Sequence, residues 1–197
     1  QNFDSWDVGT IHTGNATVIN NIYNSTNNKI IVGLNQTGDG KFYVCNTSAD
    51  GSTNTGYTLS IGSVQAITCA NNANTDGRTK IILDTTNNNY IMIDSTTSSG
   101  GMDCSVITES SGSLSQSTPQ NVGSGTMASN TAFYNPSDQK FYGAYQVYSS
   151  PYACKNYLLT VSGTTFTYVD GVDMPNATDR GVWTQGIYIA DITKANK

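Results

Sequence analysis

The chain is poor in the side chains that carry most enzymatic chemistry. Its 197 residues hold one histidine, His12, and one glutamate, Glu109. A Ser-His-Asp triad or a multi-histidine metal centre would have to be assembled around His12 alone. That residue sits beside the turn His12-Thr-Gly14, where a solvated turn residue is the simpler reading. Gly-x-Ser-x-Gly, His-Glu-x-x-His, a phosphate-binding glycine loop and a dinucleotide fingerprint are all missing from the sequence. Lys and Arg total nine, scattered singly, and the net charge is −5. Neutralising a phosphate backbone needs clustered cations, so nucleic-acid binding is not expected. No apolar run is long enough to span a membrane. Ala, Leu, Glu and Lys are scarce, which argues against helices.

What is abundant is Asn, Thr, Ser and Gly, with 12 tyrosines among them. Regular apolar alternation keeps returning through this polar background, so the composition reads as short strands joined by polar turns rather than as disorder. The clearest stretch is 130–170. Thr131-Ala-Phe-Tyr134, Lys140 to Tyr145, Tyr157 to Val161 and Thr165 to Val169 are each rich in aromatic or β-branched residues. Asn135-Pro-Ser-Asp-Gln139, a loop through Pro151 and Cys154, and Ser162-Gly163 separate them. This is an antiparallel four-stranded meander.

The rest of the chain repeats it. Polar residues that close the first strand of each unit fall at Asn35, Asp84, Asn135 and Gln185, and later turn glycines at Gly14, Gly62, Gly112 and Gly163. Both sets keep a period near fifty residues. The spacing predicts units over 29–69, 79–118 and 130–170, with a fourth made of 180–192 plus 6–19. The fold class expected is therefore all-β, a single domain over 1–197: a four-bladed β-propeller whose last blade is shared between the termini. A β-sandwich or a piece of a larger propeller are the competing architectures.

Phe133-Tyr-Asn-Pro-Ser-Asp-Gln-Lys-Phe-Tyr142 followed by Leu159-Thr-Val-Ser-Gly-Thr-Thr-Phe166 resembles a propeller repeat of secreted and phage-fibre proteins. That repeat runs Y-D-P-x-x-x-K-hydrophobic, then G-T-V-S-G-T-x-aromatic. The likeness covers one unit well and the others in outline, with Asn135 standing where the repeat has Asp. It implies a propeller in an extracellular or surface adhesive setting and brings no catalytic residues with it.

Five acceptor sequons begin at Asn15, Asn24, Asn35, Asn46 and Asn176, all expected in or beside turns where a glycan reaches solvent. With the opening Gln1-Asn-Phe, which suits a mature terminus after signal removal, they predict a secreted, extracellular or cell-surface protein. Cys45, Cys69, Cys104 and Cys154 agree with an oxidising compartment as structural disulfides. Four cysteines allow three pairings, of which Cys45–Cys69 with Cys104–Cys154 is favoured; four buried free thiols is the alternative. Asn35, Asp84, Asn135 and Gln185 would ring one mouth of a channel, and their oxygens would suit a weak calcium site, although turn formation already accounts for polar residues there. No other metal or cofactor is expected. Tyr148 and Tyr152, in the loop around Pro151, are the candidate surface aromatics for sugars or partners. For a glycosidase the available carboxylates are Glu109 and thirteen aspartates, with Asp84 and Asp94 flanking one hairpin. Asp39, Asp50, Asp76 and Asp170 each precede Gly and read as turn formers.

The expected function is that of a non-enzymatic secreted glycoprotein, a structural or adhesive subunit of a surface or matrix that self-associates into fibres or arrays. A lectin is the alternative, and a glycosidase-like enzyme comes third.

Overall fold

The computed structural model describes residues 17–36, 39–49, 57–67, 79–95, 101–123, 127–147 and 154–173. These residues form strands and turns, and no helix occurs among them. The first sheet contains β1 (Thr17–Asn24), β2 (Lys29–Gln36), β3 (Asp39–Ala49) and β4 (Tyr57–Ile67). The second contains β5 (Thr79–Asp84), β6 (Asn89–Ser95), β7 (Met102–Ser110) and β8 (Ser113–Gln116), with β9 (Gln120–Val122) also on β7. The third contains β10 (Met127–Asn135), β11 (Lys140–Val147), β12 (Cys154–Ser162) and β13 (Thr165–Asp173). Every pairing is antiparallel, and all but that of β7 with β9 join sequence neighbours. The described residues thus form three meanders, none closed into a barrel.

The sheets are layered in chain order. The first strands β1, β5 and β10 touch in succession, while the outer strands meet as β4 with β8 and β9 with β13. One apolar core fills the gap between the first two sheets, around Ile31, Ile67, Ile81, Tyr90, Met92 and Ile107. A larger one lies between the second and third, including Ile91, Ile93, Met102, Val106, Phe141, Tyr157 and Leu159. The second sheet is therefore covered on both faces. Its central strand says so in sequence: Tyr90-Ile-Met-Ile93 is an unbroken apolar run, and all four residues are buried.

The fourth strand of this sheet is broken in two. Pro119 has no N–H for the ladder, and Ser117 bridges the gap. Its N–H donates to Val106 O (2.9 Å) and its Oγ accepts from Val106 N–H (3.0 Å). The turn between β7 and β8 is Ser111-Gly112, both at positive φ (51° and 85°), the two-residue geometry that matches strand twist.

The second and third meanders follow the sequence expectation closely. The first does not. Its opening strand is Thr17–Asn24, paired with Lys29–Gln36, so the unit runs over 17–67 rather than 29–69. The segment expected as the last blade's fourth strand, up to Ile19, belongs to this opening strand. Gly62 forms no turn, since it lies inside β4, where the register with β3 shifts between Tyr43 and Cys45. Cys45 stands in the middle of β3, opposite Ile30 and Ile61. The rest of the proposed fourth blade, 180–192 and 6–16, lies outside the described residues.

Candidate functional site

Three turns of one design open the first hairpin of each sheet. They read Asn24-Ser-Thr-Asn-Asn-Lys29, Asp84-Thr-Thr-Asn-Asn-Asn89 and Asn135-Pro-Ser-Asp-Gln-Lys140. In each, the leading side-chain Oδ1 accepts the backbone N–H two residues on, from Thr26, Thr86 and Ser137, at 3.0 Å in all three. The residue closing each turn has positive φ: Asn28 61°, Asn88 55°, Gln139 57°. Asparagine tolerates that region better than glutamine does.

The turn of one sheet is gripped by the next. Asn24 is fully buried, and its Nδ2 donates to Asn88 Oδ1 (2.7 Å) and Tyr90 Oη (3.0 Å), both from the second sheet. Glu109 reaches back from β7 to the same turn. It accepts from Lys29 Nζ (2.7 Å) and Asn27 Nδ2 (2.8 Å), and from Gly112 N–H (2.7 Å) in its own sheet. Burial alone would push the Glu109 carboxyl up, but Lys29, the Gly112 N–H and Asn27 together hold it below its ordinary value. The next seam has its own grip, Tyr134 Oη donating to Thr86 Oγ1 at 2.7 Å. Burial first of all raises the phenol pKa of Tyr90 and Tyr134, so both remain neutral.

At the outer end of that seam Gln120 behaves like a short strand. Its Nε2 donates to Phe166 O and its Oε1 accepts Phe166 N–H, each at 3.0 Å, occupying one pair of groups on the edge of β13. Beyond it, Tyr145 and Tyr168 both donate to Asp170 Oδ1 at 2.9 Å, with Lys155 Nζ 4.0 Å from Oδ2. Burial, then Tyr145 and Asp170, drive the Tyr168 pKa strongly upward. Asp170 is therefore a strand residue binding two tyrosines, not the turn former that Asp170-Gly171 suggests.

No family model matches the chain. Curated proteins and solved structures give no match either. What the residues do must be read from this geometry.

Asp84 and Asn135 are equivalent, as expected, but Asn24 is their partner in the first sheet, not Asn35, which pairs with Thr17 and Gly40 in the strands. Their oxygens are engaged by their own turns, and Asp84 Oδ2 accepts Asn87 Nδ2 as well (2.8 Å). Gln185 lies outside the described residues. Asp84 and Asp94 stand at opposite ends of the β5–β6 hairpin, five register steps apart, roughly 17 Å at ~3.4 Å per residue. Acid and base of a glycosidase sit within about 10 Å of each other, so this pair is too far apart to act together.

Asn24 cannot carry a glycan in this fold, because its amide is buried and both Nδ2 hydrogens are engaged. Asn46 lies within β3, between Lys29 and Ser60, rather than at a turn. Cys104 and Cys154 are both buried free thiols, so the bond expected between them is not formed. Burial, with Asp103 and Asp94 nearby, raises the Cys104 thiol pKa far above its usual range. Asn15, Asn176, Cys69, Tyr148 and Tyr152 lie outside the described residues. Among the described residues no group of three or more His, Cys, Asp or Glu is placed to hold a metal.

Sequence reasoning missed Tyr90, Tyr134 and Gln120 as cross-sheet partners. A signal did exist for Asn24: the three turn hexads align by eye, 60 and 51 residues apart (84 − 24 and 135 − 84). The uneven first interval hides them from any search for a single period.

Proposed function

We propose that the three meanders are consecutive blades of a four-bladed propeller, and that the protein is a non-enzymatic secreted glycoprotein serving as a structural or adhesive subunit. The observation that carries this reading is where the polar side chains go. Asn24, Asp84, Glu109 and Gln120 direct their hydrogen-bonding groups to turns and neighbouring sheets, which is the work of a stiff scaffold. Sequons at Asn15, Asn35, Asn46 and Asn176 supply the glycan acceptors of the proposal, and contacts between copies or with a matrix supply its adhesion. Sedimentation and electron microscopy of native material test it. Filaments or arrays, with a mass that falls on glycosidase treatment, are the expected result. An unmodified monomer that hydrolyses a glycan, with activity lost on replacing one aspartate, would sink it.

A further inference from the structure

Two of the outer strands, β8 and β13, end their sheets by different means. β8 is four residues long, cut short by the break before Pro119, and offers a partner strand little to pair with. β13 is nine residues long. Its run Thr165-Phe-Thr-Tyr-Val169 consists of strong strand formers without a charge or a proline. Gln120 marks its outer edge, because the side-chain amide takes both the N–H and the C=O of Phe166 at 3.0 Å. The register with β12 runs unbroken from Thr165 to Asp170, so the backbone groups of Tyr168 and Asp170 point the same way as those of Phe166. Among the described residues no strand pairs with that edge.

We propose that the outer edge of β13 is a pairing surface for β13 of a second copy of this chain, kept closed by Gln120. A primary amide is a peptide group in miniature, and Gln120 makes the two bonds that a ladder partner would make at Phe166. With those groups taken, Tyr168 and Asp170 are left, too short a stretch for a stable pair of strands. The strand break positions the amide, since it separates β9 from β8 and leaves β9 in contact with β13. The occupant follows from charge. In an antiparallel pair about Thr167 the uncharged run meets itself: Phe166 faces Tyr168, Thr165 faces Val169 and Asp170 faces Thr164. A parallel, in-register pair would set two copies of Asp170 side by side. This surface goes beyond the adhesive reading, which needs contacts between copies but does not depend on this edge.

Sedimentation velocity and residue-resolved hydrogen exchange on the full chain, each at several protein concentrations, test the proposal. In the wild type the Tyr168 and Asp170 amides should exchange at a rate independent of concentration. Gln120→Ala, and Gln120→Asn with its amide a methylene short of Phe166, should both add a dimerisation step absent from the wild type. In those dimers the Phe166 and Tyr168 amides should slow at least ~10-fold relative to the dilute variant. Adding Thr167→Lys sets two ammonium groups face to face across the pair and should restore the wild-type sedimentation. Thr167 is exposed, so the lysine leaves the sheet itself intact, as unchanged exchange in β6 and β11 will show. Variants that sediment like the wild type overturn the proposal. So does association that leaves β13 exchange unchanged or survives the lysine, and so does slowing of β13 with concentration in the wild type. Assembly of native chains through other surfaces leaves β13 exchange as it is, so this test stands apart from that of the adhesive reading.

Discussion

Single side chains hold the seams at defined cost. Glu109 is the clearest case, since its side chain is 5% exposed and Lys29, its partner, 16%. Glu109→Gln keeps the shape but removes the charge facing Lys29, and should cost roughly 1–3 kcal/mol in urea melts at pH 7. The pH dependence has a definite sign. A carboxyl held below its unfolded value, about 4.3, stabilises fully above that value and loses the contribution as pH falls through the folded one. The gap between wild type and Glu109→Gln should therefore close on acidification below about pH 4, and a gap constant down to pH 2 would contradict the ion pair. Gly143 makes a steric prediction. It pairs with Tyr157, and a Cβ built there overlaps the phenol end of the tyrosine, at Cζ, Cε1 and Oη. Gly143→Ala should cost about 1–3 kcal/mol, and a neutral result would mean that the ring does not cover the glycine.

At the scale of the element, one local motif serves two purposes. The Asx turns at Asn24 and Asn135 are alike in sequence and in their 3.0 Å cap, but Asn24 is buried against the second sheet while Asn135 is not. Asn135→Ala should cost less, about 0.5–1 kcal/mol, because its turn cap lies at the surface. Asn24→Ala strips the same cap, removes the part-buried bond to Asn88 and leaves the buried Tyr90 hydroxyl without its donor, for roughly 2–4 kcal/mol. Equal midpoint shifts for the two variants would show that the cross-sheet bonds contribute nothing. Glycopeptide mapping should find Asn24 unoccupied in folded material, whatever the other sequons carry.

For the whole molecule, the question is whether three layered meanders unfold as one. Sheets two and three share a core, and sheets one and two share another, so the second sheet belongs to both. Ile31→Ala in one core and Leu159→Ala in the other should each lower stability by about 2–5 kcal/mol while keeping a single transition. Circular dichroism and tyrosine fluorescence should melt together in both variants. A separate early transition in Ile31→Ala alone would make the first sheet an independent unit.

Much of this is legible in the sequence. Turn chemistry is local: Asn135-Pro-Ser-Asp and Ser162-Gly163 dictate chain reversal from contacts spanning two or three residues. Alternation is local too, so strands β10 to β13 and β5 to β8 fall where their residues predict. Even the double burial of Tyr90-Ile-Met-Ile93 shows as an unbroken apolar run. Which strand leads each sheet is another matter, because Ile30-Ile-Val32 and Phe42-Tyr-Val44 are equally good strands and only the pairing of Thr17–Asn24 with Lys29–Gln36 makes β2 a second strand. The same holds for Asn24, a sequon by its three-letter spacing and a buried latch by its distance from Tyr90. Hydrogen bonds between residues about sixty positions apart leave no periodic trace, so the tertiary structure alone decided which polar residues face water and which hold the sheets together.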